Sequence, residues 1–154
     1  MSELKNRLQA DLTDAMRARD ELRTSTIRMA LTAITNEEVS GKQARELSDD
    51  EVLAVLGREA KKRREAAEAF TAADRPELAD REVAEGVVLD TYLPAQLTDD
   101  EIAALVATAV AAATAGGAEG PRAIGSVMKL VQPQVTGRAD GGRVAAEVRR
   151  QLGS

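Results

Sequence analysis

Apolar residues recur at three- and four-residue spacing through every long segment of this chain, and nowhere do they alternate with polar ones as a half-buried strand requires. Only Phe70 and Tyr92 are aromatic, so a core must be assembled from Ala, Leu, Val, Ile and Met. That palette suits helices, because Ala loses no side-chain entropy and lets backbones approach closely. The expected fold is all-α, with about seven helices read from the apolar period.

Leu4, Leu8, Leu12, Ala15 and Met16 make a first stripe, and Asp20-Glu21 offers a break and a new start. Leu22, Ile27, Ala30, Leu31 and Ile34 continue a second helix towards Glu38. Residues 39–47, with Gly41 among them, read as a polar and mobile connector. Ser48 followed by Glu51 is a capping box in front of Val52, Leu53, Val55 and Leu56. The helix it opens should run to Ala72, with Ala60, Ala67 and Phe70 on its buried side. Asp74 and Pro76 place a cap and an early proline before a fourth helix carrying Leu78, Val83, Val87 and Leu89. Gly86 inside that helix costs about 1 kcal/mol relative to Ala and suits close helix contact. Pro94 pushes Leu93 away from helical angles and ends the segment. Thr98 with Glu101 is a second capping box, opening a fifth helix through Ile102, Leu105, Val106, Ala109 and Val110. An Ala/Gly-rich link over 111–120 follows. Two short amphipathic patterns close the chain, one with Val127, Met128 and Val131, the other with Val144, Val148 and Leu152. The expected organisation is a four-helix bundle-like domain over 1–93, a hinge at 94–97 and a three-helix domain over 98–154. Tyr92, Leu93 and Pro94 mark the joint.

Composition excludes much chemistry. The chain has no His and no Cys, which removes the commonest general base, the thiol nucleophile and thiolate metal sites. No Walker-type loop or dinucleotide fingerprint occurs. Glu37-Glu38 and Asp49-Asp50-Glu51 are acidic enough to attract Mg²⁺, but Asp49-Asp50 is better explained as acid at a helix start. No catalytic residue, metal or cofactor is assigned. No apolar run approaches the roughly 18 residues that a membrane span needs, and the N-terminal residues lack a hydrophobic signal region. These features lead to the expectation of a cytoplasmic protein with no membrane partner.

Charge is unevenly spread. Residues 120–154 hold six of the 21 basic and two of the 26 acidic residues, so this stretch carries +4 on a chain of net −5. A polyanion would meet that tail first. Within it, Gly137, Gly141 and Gly142 surround Arg138, Asp140 and Arg143. The plain reading is that Gly137 ends one helix and Asp140 caps the next. It leaves two arginines beside a helix N-terminus, where the dipole disfavours positive charge and a bound phosphate would be welcome. Lys129, Gly137, Arg138, Arg143, Arg149 and Arg150 are therefore candidate RNA-binding residues. The densest basic run is Arg58 to Arg64. On a helix, Arg58, Lys61 and Lys62 share a face and form a second candidate surface, for RNA or for a protein partner. Against that stands a solvated helix with Glu59–Arg63, Lys61–Glu65 and Arg64–Glu68 pairs.

The segment from Gly125 to Val144, the run Arg58 to Glu65 and the motif Tyr92-Leu93-Pro94-Ala95-Gln96-Leu97 together resemble the GatB/YqeY family. The likeness is to its small stand-alone YqeY-like proteins, which are similar to the tail of the B subunit of the tRNA-dependent amidotransferase. It covers essentially the whole chain, in order. It implies contact with tRNA or another structured RNA through the tail, and a possible protein partner in tRNA-dependent amidation. A label of carbon–nitrogen ligase with glutamine as amido-N-donor would be inherited from the full amidotransferase, whose catalytic portion is absent here. Relatives usually carry an acidic residue and Met before the glycine where this chain has Ala123-Ile124-Gly125. That departure leaves the start of the sixth helix open.

Overall fold

The computed structural model describes residues 2–153, which form seven α-helices and no strand. The chain divides into two compact units, Met1–Pro94 and Ala95–Ser154. The first holds α1 (Glu3–Arg17), α2 (Glu21–Glu38), α3 (Asp49–Ala72) and α4 (Pro76–Asp90). α3 lies along α4, α1 along α2, and α2 touches both α3 and α4. Leu8, Ile27, Ile34, Val52, Leu56 and Leu89 are fully buried at the centre. Each contributes about 1.5–3 kcal/mol by leaving water.

Local chemistry sets where these helices begin. Ser48 accepts from the Glu51 amide at 3.2 Å, and the Glu51 carboxylate accepts from the Ser48 amide at 2.8 Å, closing the expected box. That second bond, with help from Arg45, holds the Glu51 carboxyl below the usual carboxylate range. Asp20 caps α2 through the Arg23 amide at 3.0 Å. Asp49 does something that its position does not announce. As the first residue of α3, it turns its carboxylate to the start of α1, accepting from the Ser2 hydroxyl and from the Leu4 amide at 3.2 Å. Those bonds lower its pKa.

The connector after α2 is held at both ends. The Arg45 amide donates to the Glu38 carbonyl at 3.0 Å, the Glu38 carboxylate takes Lys5 at 2.6 Å, and Leu47 is buried. The Lys5 bond is the main reason that the Glu38 pKa is lowered.

The α3–α4 turn differs from the expectation. Asp74 does not cap α4. It takes φ 57° two residues past the end of α3, just beyond the Ala73 C-cap, where its amide donates to the Thr71 carbonyl and the Arg75 amide to the Phe70 carbonyl. This is a left-handed helix stop with Asp in the place usually held by Gly. Arg75 occupies the N-cap of α4 without a side-chain bond, and Pro76 starts the helix from a preset φ.

α4 also faces the other way from its apolar pattern. Leu89 and Ala79 are buried, but Leu78, Val83 and Val87 are 38, 56 and 59% exposed, while Glu85 is only 9% exposed. Gly86 permits the close approach to α3: a Cβ there would lie 3.8 Å from the Cβ of Arg63.

The second unit holds α5 (Asp99–Ala115), α6 (Pro121–Val135) and α7 (Gly141–Leu152), each touching the other two. Ile102, Val106, Val127, Val131, Val144 and Val148 form its core. Thr98 and Glu101 close the second capping box, with bonds of 3.1 and 3.2 Å. The start of α6 is set by Pro121 at its first position after Gly120, with no side-chain cap.

Candidate nucleic-acid interface

The turn between α6 and α7 is built from local bonds and then clamped from a distance. Past the Thr136 C-cap, Gly137 adopts φ 74°, a left-handed conformation that suits glycine. The amides of Arg138 and Ala139 both return to the Val135 carbonyl, at 2.8 and 3.1 Å. Asp140 caps α7, accepting from the Gly142 amide at 3.1 Å. Three further bonds come from residues just before α5. Gln96 donates to the Gly137 carbonyl at 3.0 Å, the Leu97 amide donates to the Arg138 carbonyl at 2.8 Å, and Arg138 Nε donates to the Ala95 carbonyl at 3.3 Å.

The candidate cations of this unit differ in how they are held. Arg138 is half-buried by that clamp. Its charge also helps lower the Glu101 pKa, after the larger contributions of the Thr98 amide and hydroxyl. Arg143 is exposed and ion-paired to Asp99 in the first turn of α5. Arg150 grips Glu147 with two nitrogens, at 2.9 and 2.5 Å, which with Gln151 pulls the Glu147 pKa down to about 2. Arg149 and Arg150 sit in the last turn of α7, where positive charge suits the helix dipole. Lys129 is exposed on α6 and has no ion-pair partner among the described residues. Gly141 and Gly142 are exposed as well. The turn thus presents a helix start, backbone without side-chain cover, and two arginines.

The basic run on α3 is arranged otherwise. Arg58 meets Glu37 of α2 at 3.4 Å, Lys61 meets Glu65 at 3.9 Å, and Lys62 meets Glu59 at 3.2 Å. Arg63 does not join that surface. Its side chain, 18% exposed, turns inward to Glu59 at 3.8 Å, Glu82 at 3.5 Å and Glu85 at 3.4 Å, and donates to the Met29 sulfur at 3.0 Å. Nε of Arg63 and Oε2 of Glu82 are buried and lack hydrogen-bond geometry, so that contact is electrostatic only. Lys62 on Glu59 and Arg81 on Glu85 complete a set of three cations and three carboxylates. The sequence held one clue to this hub: Glu82 and Glu85, three apart, interrupt an apolar stretch.

Tyr92 belongs to the core of the first unit. Its hydroxyl donates to Asp11 at 2.5 Å, and the Arg7 guanidinium lies 4.8 Å over its ring. Burial and the Asp11 carboxylate push its pKa up to about 12. Leu93 is half-buried and Pro94 exposed. With Arg7 and Leu53 they line a shallow cleft of about 490 Å³.

Four of the five acids weighed as magnesium ligands have other work. Glu37 takes Arg58, Glu38 takes Lys5, Asp49 caps α1, and Glu51 caps its own helix. Among the described residues, no three acidic side chains converge as a metal site would require, and no helix is long and apolar enough to cross a membrane.

The sequence profile of the family described as Yqey-like protein matches residues 5–152. The chain is also similar to "Altered inheritance of mitochondria protein 41, mitochondrial" of Pyrenophora tritici-repentis (strain Pt-1C-BFP). The two are 32% identical over 153 residues, covering 96% of this chain and 80% of that protein. Both likenesses run through the α3 basic run, the Tyr92-Leu93-Pro94 motif and the α6–α7 turn, and the chain is a member of the YqeY-like protein family.

Proposed function

We propose that this protein is a non-catalytic binding module for tRNA or another structured RNA, engaged through the α6–α7 turn. The observation that carries the reading is the clamp of Ala95, Gln96 and Leu97 on Gly137 and Arg138. It holds Arg138 and Arg143 beside the start of α7 before any ligand arrives, so little ordering entropy is lost on binding. The net positive charge of residues 120–154 supports it. So does the resemblance of the family to the tRNA-contacting tail of the amidotransferase B subunit. Arg143 must exchange Asp99 for phosphate, an exposed pair worth well under about 1 kcal/mol. Few phosphates can be met by so small a surface, so affinity is modest and directed by shape. In this reading the two units are separate domains, joined in the chain at 94–97.

No nucleophile is paired with a recognisable base, so the isolated protein is expected to show no glutaminase or amidotransferase turnover. Turnover by pure protein that a single substitution abolishes would overturn this. The alternatives are a protein–protein interaction module that docks an acidic or helical partner on the Arg58–Arg64 helix, and an accessory to a catalytic subunit in tRNA-dependent amidation. Fluorescence anisotropy with labelled tRNA over a salt series tests the main reading, which expects affinity to fall steeply with salt. No association at low salt would sink it. Capture from lysate with and without ribonuclease then separates RNA from protein partners.

A further inference from the structure

We propose that the outward face of α4, with the hollow beside it on α3, is a contact surface between two copies of this chain. α4 is inverted relative to its apolar pattern. Glu82 and Glu85 point inward to Arg63, while Val83 and Val87, one turn apart, stand in water, more than half exposed. A helix that places carboxylates inside and two valines one turn apart outside has the polarity of an interface element, because exposed apolar side chains on one face are stabilised by whatever covers them.

Shape agrees with this. Val83 and Val87 project beside a hollow of about 130 Å³ that Ala60 and Gly86 help to line. That is about the space one aliphatic side chain fills. One patch therefore carries both a knob and a hole for it.

Charge identifies the occupant. Arg64 and Asp90 both line the hollow, and neither has an ion-pair partner among the described residues. In a two-fold contact, residue i meets j and j meets i, so a patch with one cation and one anion completes itself twice. Arg64 of one copy meets Asp90 of the other, and a valine of each enters the hollow of its partner. A polyanion would set like charge against Asp90, and a plain apolar helix would leave both charges unpaired.

Sedimentation velocity of the full chain over a concentration series tests the proposal. The wild type is expected to approach twice the monomer mass as concentration rises. Val87→Asp should raise the dimer dissociation constant at least about tenfold. Arg64→Asp should weaken association, and adding Asp90→Arg to it should restore most of the loss. All three residues are exposed, so circular dichroism melts should match wild type. A wild type that stays monomeric, or a dimer indifferent to Val87→Asp, overturns the proposal. So does a charge swap no tighter than Arg64→Asp alone. A monomer that captures a different protein through Val87 also overturns it, by giving the face another occupant.

Discussion

The α3 run and the α6–α7 turn are both cation-rich in sequence, yet the fold treats them in opposite ways. On α3, Arg58, Lys61 and Lys62 each have a glutamate at hand, and Arg63 is drawn into an ionic hub under α4. In the turn, Arg138 is held by backbone carbonyl rather than by a carboxylate, and Arg143 faces one aspartate that is almost wholly solvated. Density of positive charge along a chain is therefore a poor guide to how many of those charges stay available at the surface. What counts is how many carboxylates the tertiary packing brings to each cation, and whether the pair is dry or wet.

The sharpest break in that comparison is expected at Arg63. Arg63→Ala leaves Glu59, Glu82 and Glu85 facing one another with a single cation fewer, and should cost about 3 kcal/mol of stability. Arg64→Ala, its exposed neighbour, should stay within about 0.5 kcal/mol. Urea unfolding of both variants decides whether one basic run mixes a structural residue with surface ones. Equal losses would mean that the hub does not form.

Next in size is the RNA arm. Arg138→Glu should weaken tRNA binding about tenfold and flatten its salt dependence, with helicity unchanged, whereas Lys62→Glu should change it less than about threefold. The reverse pattern would make α3 the reader instead of the turn.

The two capping boxes allow a matched pair of smaller changes. Ser48→Ala and Thr98→Ala should each cost about 1 kcal/mol. Hydrogen exchange should show the first loss in amides of α3 and the second in those of α5. Loss spread evenly over all seven helices in both variants would argue against local capping.

The smallest effects come from titration. Glu38, Asp49, Glu51, Glu101 and Glu147 have depressed pKa values, so their stabilisation is full above the usual 4.5 or so and fades as acid titrates the folded form, down to about 2 for Glu147. Tyr92 has the opposite sense. Its raised pKa stabilises the fold below pH 10 and that contribution disappears as pH climbs towards 12. Tyr92 is the only tyrosine, so phenolate absorbance reads it directly. A midpoint near 10 would mean that Tyr92 is neither buried nor bonded to Asp11 in solution.

The starts of α2, α3 and α5 were legible because each is a transaction within one turn. Asp20 with Arg23, Ser48 with Glu51 and Thr98 with Glu101 lie three residues apart, and no distant part of the chain is needed to bring them together. The end of α3 at Ala72 was legible too, although the residue that stops it, Asp74, acts by a left-handed turn and not as the cap that its side chain suggested. The glycine turn could be located for the same reason, since Gly137 and Asp140 work on their immediate neighbours.

What the sequence by itself determined is the all-helical class, the order of the elements and most of their ends, because helical period and capping are chemistry of near neighbours. Tertiary structure alone decided which way each side chain faces. It turned Arg63 inward and Val83 and Val87 outward, sent Asp49 to cap α1, and joined Tyr92 to Asp11 across 81 residues. Those choices depend on which helix lies alongside and at what rotation. That rotation is set by packing the whole core, where a close approach at Gly86 and an ionic hub on Arg63 can outweigh the apolar stripe of a single helix.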